Sequence, residues 1–161
     1  MPTTLRTADQ ANTIAVVGDV YRILADGADT RGQYAMIDAI VPPGGGPPPH
    51  VHRREEEAFF ILEGEITFMI EGKRIVATAG MFANVSIGTL HAFKNESDRP
   101  ARMLITVAPA GLEQMFLQVG TPLEPGATTA PQPTEQDIQR LLSTAPQFGI
   151  EIQAPPHEAA E

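Results

Sequence analysis

Three of the chain's four histidines fall into two short segments rich in metal-binding residue types. His50 and His52 flank Val51, and an acidic run, Glu55-Glu56-Glu57, lies just beyond them. His91 stands in the second segment, between Gly88 and Asn95. On a β-strand, residues two apart project from the same face, so His50 and His52 can offer their imidazoles to one point. A third histidine and a glutamate arriving from neighbouring strands would complete a set of three nitrogens and one oxygen. Such a set suits divalent Mn, Fe, Co, Ni, Cu or Zn, and without thiolate it disfavours monovalent copper. Four protein ligands leave one or two positions open on a five- or six-coordinate ion, as substrate or dioxygen binding requires.

A His-x-His pair alone is a weak signal, because a motif is a hypothesis awaiting its structural context. Here the spacings around both segments resemble those of the cupin superfamily. The family's first motif, G-x5-H-x-H-x4-E-x6-G, runs from Gly44 through His50, His52 and Glu57 to Gly64. The second, G-x5-P-x-G-x2-H-x3-N, runs from Gly80 through Gly88 and His91 to Asn95, with Ser86 in place of the proline. That departure falls in a turn and bears on the turn's rigidity rather than on the ligands. The resemblance implies an all-β fold, a double-stranded β-helix or jelly-roll barrel, with a metal on His50, His52, Glu57 and His91. Counting back from Gly64 selects Glu57 among the three glutamates. Glu55 and Glu56 read instead as a solvated acidic rim opposite Arg53 and Arg54, where exposed pairs contribute only ~0–1 kcal/mol.

The elements that must position these groups are short strands. Ile14 to Leu24 is apolar and β-branched, Ala25 to Gly32 supplies turn chemistry, and Gln33 to Val41 is a second strand candidate. The run from Pro42 to Pro49 can be neither helix nor central strand. It either stiffens the approach to His50 or is simply a rigid surface loop. Strand candidates then recur at Ala58–Leu62, Ile66–Ile70, Arg74–Thr78, Phe82–Val85, Leu90–Lys94 and Arg102–Val107, separated by glycine-bearing turns. Ala58 to Leu62 is apolar at every position, which suggests that both its faces are covered. Strand parity puts Phe59, Ile61, Phe68 and Phe93 inside with the ligands, either lining a substrate pocket or filling the barrel. Asn95 reads as a turn residue bonded to nearby backbone.

Beyond Pro109 the pattern turns helical. Leu112, Met115, Phe116 and Val119 share one face, and either cap the barrel mouth or, as apolar stripes ordinarily do, pack against the barrel. A linker rich in proline, glycine and threonine, Thr121 to Pro133, leads to a second helix with Thr134 as N-cap and Ile138, Leu141 and Leu142 as its stripe; Pro146 ends it. The tail from Ala154, with His157, reads as frayed and solvated. The whole forms one domain over 1–161, with a barrel core at about 13–108 and a helical extension at about 111–152.

Composition narrows the function. A net charge of −9 and a pI near 4.8 argue against nucleic acid and give no attraction to anionic membranes. The chain has no cysteine, so disulfides, zinc–thiolate sites and cysteine nucleophiles are excluded. Met1 to Asn12 is polar without a signal-peptide core, and no apolar run approaches the ~18 residues of a membrane span. The cytoplasm is the default expectation.

Within the family, the stretch PPPHVHRREEEAFFILEGEITF is most similar to the quercetin-dioxygenase-like group. The resemblance implies a metal-dependent dioxygenase acting on a small enol, diketone or flavonol, with Glu57 serving as ligand and base. A metal-dependent isomerase, decarboxylase or hydrolase is the alternative, as is a small-metabolite-binding module without catalysis. No helix-turn-helix pattern precedes the barrel to suggest a DNA-binding regulator. The doubly apolar strands and the family resemblance suggest a homodimer, which is also the commonest assembly.

Overall fold

The computed structural model describes residues 3–153; the tail and His157 lie outside the described residues. Among the described residues, twelve strands form two antiparallel sheets. In chain order they are β1 (Asn12–Val16), β2 (Asp19–Ala25), β3 (Ala35–Val41), β4 (His50–His52), β5 (Glu56–Glu63), β6 (Glu65–Ile70), β7 (Lys73–Thr78), β8 (Phe82–Val85), β9 (His91–Lys94), β10 (Ala101–Ala108), β11 (Thr121–Pro122) and β12 (Ile150–Ile152). Helix α1 (Gly27–Thr30) interrupts the early turn; α2 (Leu112–Val119) and α3 (Glu135–Thr144) follow β10. The seven-stranded sheet runs β11-β1-β2-β3-β10-β5-β8, and the five-stranded sheet β12-β4-β9-β6-β7. The expected jelly-roll is present, but the two sheets are not hydrogen-bonded into a closed barrel. They face each other as a sandwich with an open end.

Between them lies the core. Ile37, Phe59, Ile61, Met103 and Ile105 from the larger sheet meet Ile66, Phe68 and Phe93 from the smaller one, all buried. The β5 sequence shows the alternation that a half-buried strand demands. Glu57, Phe59 and Ile61 turn inward, while Phe60 turns out and is 39% exposed. No second layer within the described residues covers Phe60 on that outer face, which leaves a partner subunit as the other cover an all-apolar run suggests.

The region read as one strand from Ile14 to Leu24 is a hairpin. Val17 and Gly18 both take positive φ, 46° and 90°, and form the two-residue turn between β1 and β2. A valine there pays a conformational cost that turn rules do not anticipate, so the Val-Gly pair gave no warning. Part of the linker is also structured, since β11 pairs with β1 through Ile14 and Pro122. Among the described residues, no helix is long and apolar enough to cross a membrane.

The helices close the open end of the sandwich. Buried Glu113 holds the start of α2 by accepting from the backbone N–H groups of Gly27 at 2.9 Å and Gly111 at 2.6 Å. Thr134 caps α3 as expected, accepting from Asp137 N at 3.2 Å while Asp137 accepts from Thr134 N at 2.8 Å. Asn95, fully buried, does bond to backbone, but it also ties the two sheets together. Its Nδ2 donates to Val41 O at the end of β3 and to Arg99 O, and its Oδ1 accepts from Ser97.

Candidate metal centre

His50 and His52 lie on one face of the three-residue β4, as strand parity requires. Strand β9 sets His91 directly beside His50 in register. Glu57 comes from the opposite sheet, on the inward face of β5. Among the described residues these four side chains form a group whose ligand atoms all lie within 4.8 Å of one another, every member buried.

The outer ring nitrogens fix what the inner ones can do. His50 Nδ1 lies 2.8 Å from Pro48 O, and His91 Nδ1 lies 2.9 Å from Thr89 O. His52 Nδ1 lies 2.8 Å from Glu55 Oε1. A carbonyl or carboxylate can only accept, so each Nδ1 carries the proton and donates it. In the neutral rings all three Nε2 atoms are therefore lone pairs, and they converge. His50 Nε2 and His52 Nε2 are 3.0 Å apart, and Glu57 Oε1 is 3.2 Å from His91 Nε2 and 3.6 Å from His52 Nε2.

Three lone pairs and a carboxylate aimed at one point repel unless a cation stands among them. Two ligands at right angles, each about 2.1 Å from an ion, would be about 3.0 Å apart, which is the His50–His52 spacing. The donor set fits a divalent transition metal. In the metal-free protein, protons compete for the same atoms. Burial, more than any neighbour, pushes the His50 pKa down to about 4 even against the charge of Glu57, which keeps the imidazole neutral. Burial would raise the Glu57 pKa, but its bond to His91 and the charges of His52, His50 and His91 hold it below the ordinary value. Burial also opposes charge on His52, yet the bond to Glu55 and the Glu57 and Glu55 charges together raise its pKa.

Glu55 corrects the sequence reading. It is not part of a solvated rim: at 4% exposure it is buried and orients His52. Chain direction changes between β4 and β5, so the parity that separates Glu56 from Glu57 says nothing about Glu55. A carboxylate three residues after a candidate ligand was the available signal. Glu56 is exposed as expected, whereas Arg53 pairs with Glu151 of β12 at 2.9 Å rather than with either glutamate.

A cavity of about 80 Å³ opens beside the cluster, touching His50, His52 and Glu57. Its wall is largely apolar and includes Phe93, Ile105, Leu112, Met115, Phe116 and Ile150, with Asp19 and Tyr21 as further polar groups. Of the four pocket residues expected from parity, Phe93 is on this wall. Phe59, Ile61 and Phe68 pack in the core, where Phe59 meets Phe68 and Phe93 edge-on at ring distances of 5.0 and 5.7 Å. The α2 stripe does more than pack against the outside, since Leu112, Met115 and Phe116 roof the cavity. Leu141 of α3 also reaches it, whereas Ile138 and Leu142 are exposed.

Residues 38–107 match the family described as Cupin domain. Quercetin 2,3-dioxygenase of Bacillus subtilis (strain 168) is 27% identical over 141 residues, 87% of this chain and 41% of that protein. The chain thus spans about two fifths of that relative's length. The polyketide cyclase RemF from Streptomyces resistomycificus superposes with a TM-score of 0.60 at 20% identity, covering 66% of this chain and 80% of that one. An RmlC-like cupin from Shewanella frigidimarina superposes with a TM-score of 0.61 at 18% identity, covering 70% and 96%. At such identities these two structures establish a shared fold alone.

Proposed function

Residues 38–107 match the cupin domain, and from that premise we propose that the chain is a metal-dependent dioxygenase acting on a small enol, diketone or flavonol-like substrate. The observation that carries the reading is the convergence of three imidazole Nε2 atoms and a buried carboxylate on one point beside an apolar cavity. His50, His52, Glu57 and His91 would hold the ion. When bound, a redox-active divalent ion would supply electron exchange with dioxygen and polarise a substrate oxygen. The likeness to quercetin 2,3-dioxygenase supports this choice of chemistry.

The protein's own groups divide the remaining work. Pro48 O, Thr89 O and Glu55 keep the three imidazoles in one tautomer. Glu57, held ionised, accepts the proton that an enol releases on binding. Phe93, Leu112, Met115 and Phe116 exclude water from the apolar body of the substrate.

Dioxygen uptake tests the reading. Protein loaded in turn with Mn, Fe, Ni and Zn is presented with enols, diketones and flavonols in an oxygen-electrode assay. Uptake confined to redox-active ions is expected. Equal turnover with zinc would sink the oxygenase and favour an isomerase, decarboxylase or hydrolase. Ligand binding unaffected by His50→Ala/His91→Ala, without turnover, would favour a binding module. The metal assignment has its own check, since His91→Ala with Glu57→Gln should lose bound metal by elemental analysis.

The same reading includes a homodimer in the cytoplasm. Phe60 and Phe82 are cross-strand neighbours on the outer face of the larger sheet, at its β8 edge, and both are exposed. A solution mass equal to the 17.3 kDa monomer would refute the dimer.

A further inference from the structure

Among the described residues, Asp19, Asp38, Glu55, Glu57 and Glu113 are the buried carboxylates. Four of them have obvious employment. Asp38 holds Arg22 and Arg102, Glu55 holds His52, Glu57 faces His91, and Glu113 holds two backbone N–H groups. Asp19 is the exception. It is 3% exposed, and its buried Oδ1 has no hydrogen-bond partner. The chain also makes room for it. At Gly45 a Cβ would lie 2.5 Å from that oxygen, so a side chain there would have to push the carboxyl from where it sits.

Asp19 and Tyr21 alternate along β2 and share its inward face, and both line the cavity that touches His50, His52 and Glu57. Burial pushes the Asp19 pKa up to about 8, so near neutral pH the group is largely a neutral acid able to donate. A buried polar group that the fold leaves unsatisfied calls for a partner from outside the chain, an ordered water or a ligand.

We propose that Asp19 is a ligand-binding group of this cavity, its carboxyl donating a hydrogen bond to a carbonyl oxygen of the molecule whose other oxygen meets the His50, His52, Glu57 and His91 cluster. The proposal rests on the reading of that cluster as a metal-held substrate site. It defines the ligand as an apolar body bearing two separated oxygen functions. It also makes Asp19 a specificity-determining residue, since a ligand lacking the second oxygen would leave the acid unpaired.

Binding of phenol, 3-hydroxyacetophenone and 4-hydroxyacetophenone to the metal-loaded protein tests this, alongside metal content and Tm, in wild type, Asp19→Asn and Asp19→Leu. Wild type should bind at least one hydroxyacetophenone about tenfold more tightly than phenol, the value of a well-placed hydrogen bond. Asp19→Leu should lose that preference and Asp19→Asn, which still donates, should keep part of it. Both variants should retain metal and melt no lower than wild type, because an unpartnered buried carboxyl has gone. A preference absent in wild type, or unchanged in Asp19→Leu, overturns the proposal while leaving the metal site intact. A lower Tm in both variants overturns it in favour of a structural role. Wild type that takes up no metal overturns the underlying reading of the cluster instead.

Discussion

His52 depends on Glu55 more than its place in the sequence discloses. A carboxylate on Nδ1 orients the ring and raises the basicity of Nε2, and loss of such a partner typically costs ~10–100-fold in metal affinity. Glu55→Ala should therefore weaken metal binding by about that factor, measured by chelator competition, whereas Glu56→Ala at its exposed position should not. Glu57 was legible because the motif counts back from Gly64 to it. Glu55 was not, because its inward turn is made by the bend between two strands, and no periodicity crosses a bend. Asp19 carries a prediction of opposite sign to the usual carboxylate. Its pKa of about 8 stands above the ordinary 3.8, so the folded chain holds a proton that the unfolded chain has released. Its contribution to stability is complete below pH about 4 and declines as pH rises towards about 8. In metal-free protein the Tm of Asp19→Asn should accordingly gain on that of wild type across this window, as read by thermal unfolding at stepped pH.

Strand β4 is only three residues long and needs its neighbours to hold His50 and His52 in place. It pairs with β9 through His50 and His91 alone, but with β12 at all three positions, Ile150 opposite His52 and Ile152 opposite His50. Ile150 is also buried and lines the cavity. Ile150→Ala should cost about 2–4 kcal/mol in denaturant unfolding and weaken metal binding as well. The glycine loop before β4 is equally constrained. Gly46 sits at φ 128°, and a Cβ there would lie 2.0 Å from Phe93 O, so Gly46→Ala should destabilise by about 3 kcal/mol by pushing β9 and its histidine aside. Strands such as β5 and β6 were readable from alternation and from glycine turns at their ends. Strand β12 was not, since Ile-Glu-Ile is too short to show a period and its partner lies almost the whole domain away. The function of α2 was half readable: its apolar stripe was evident, but whether that stripe roofs a cavity depends on where β10 delivers the helix.

At the scale of the molecule, His50, His52 and His91 belong to one sheet and Glu57 to the other. An ion held by all four would cross-link two sheets that share no backbone ladder, adding to the tie made by Asn95. Metal should then raise Tm in a concentration-dependent way, by about 2.7 kcal/mol of stability at a hundredfold excess over Kd, and a chelator should reverse it. Glu57→Gln should blunt this response in a thermal-shift titration even where the histidines still capture metal. The pairing of β4 with β12 has a temporal side. Translation delivers the four candidate ligands well before it delivers Ile150, Glu151 and Ile152, the residues that pair with β4 along its whole length. An ion bound before then would rest on a barely paired strand and would exchange freely. Geometric discrimination between ions would begin only once β12 had been made and docked.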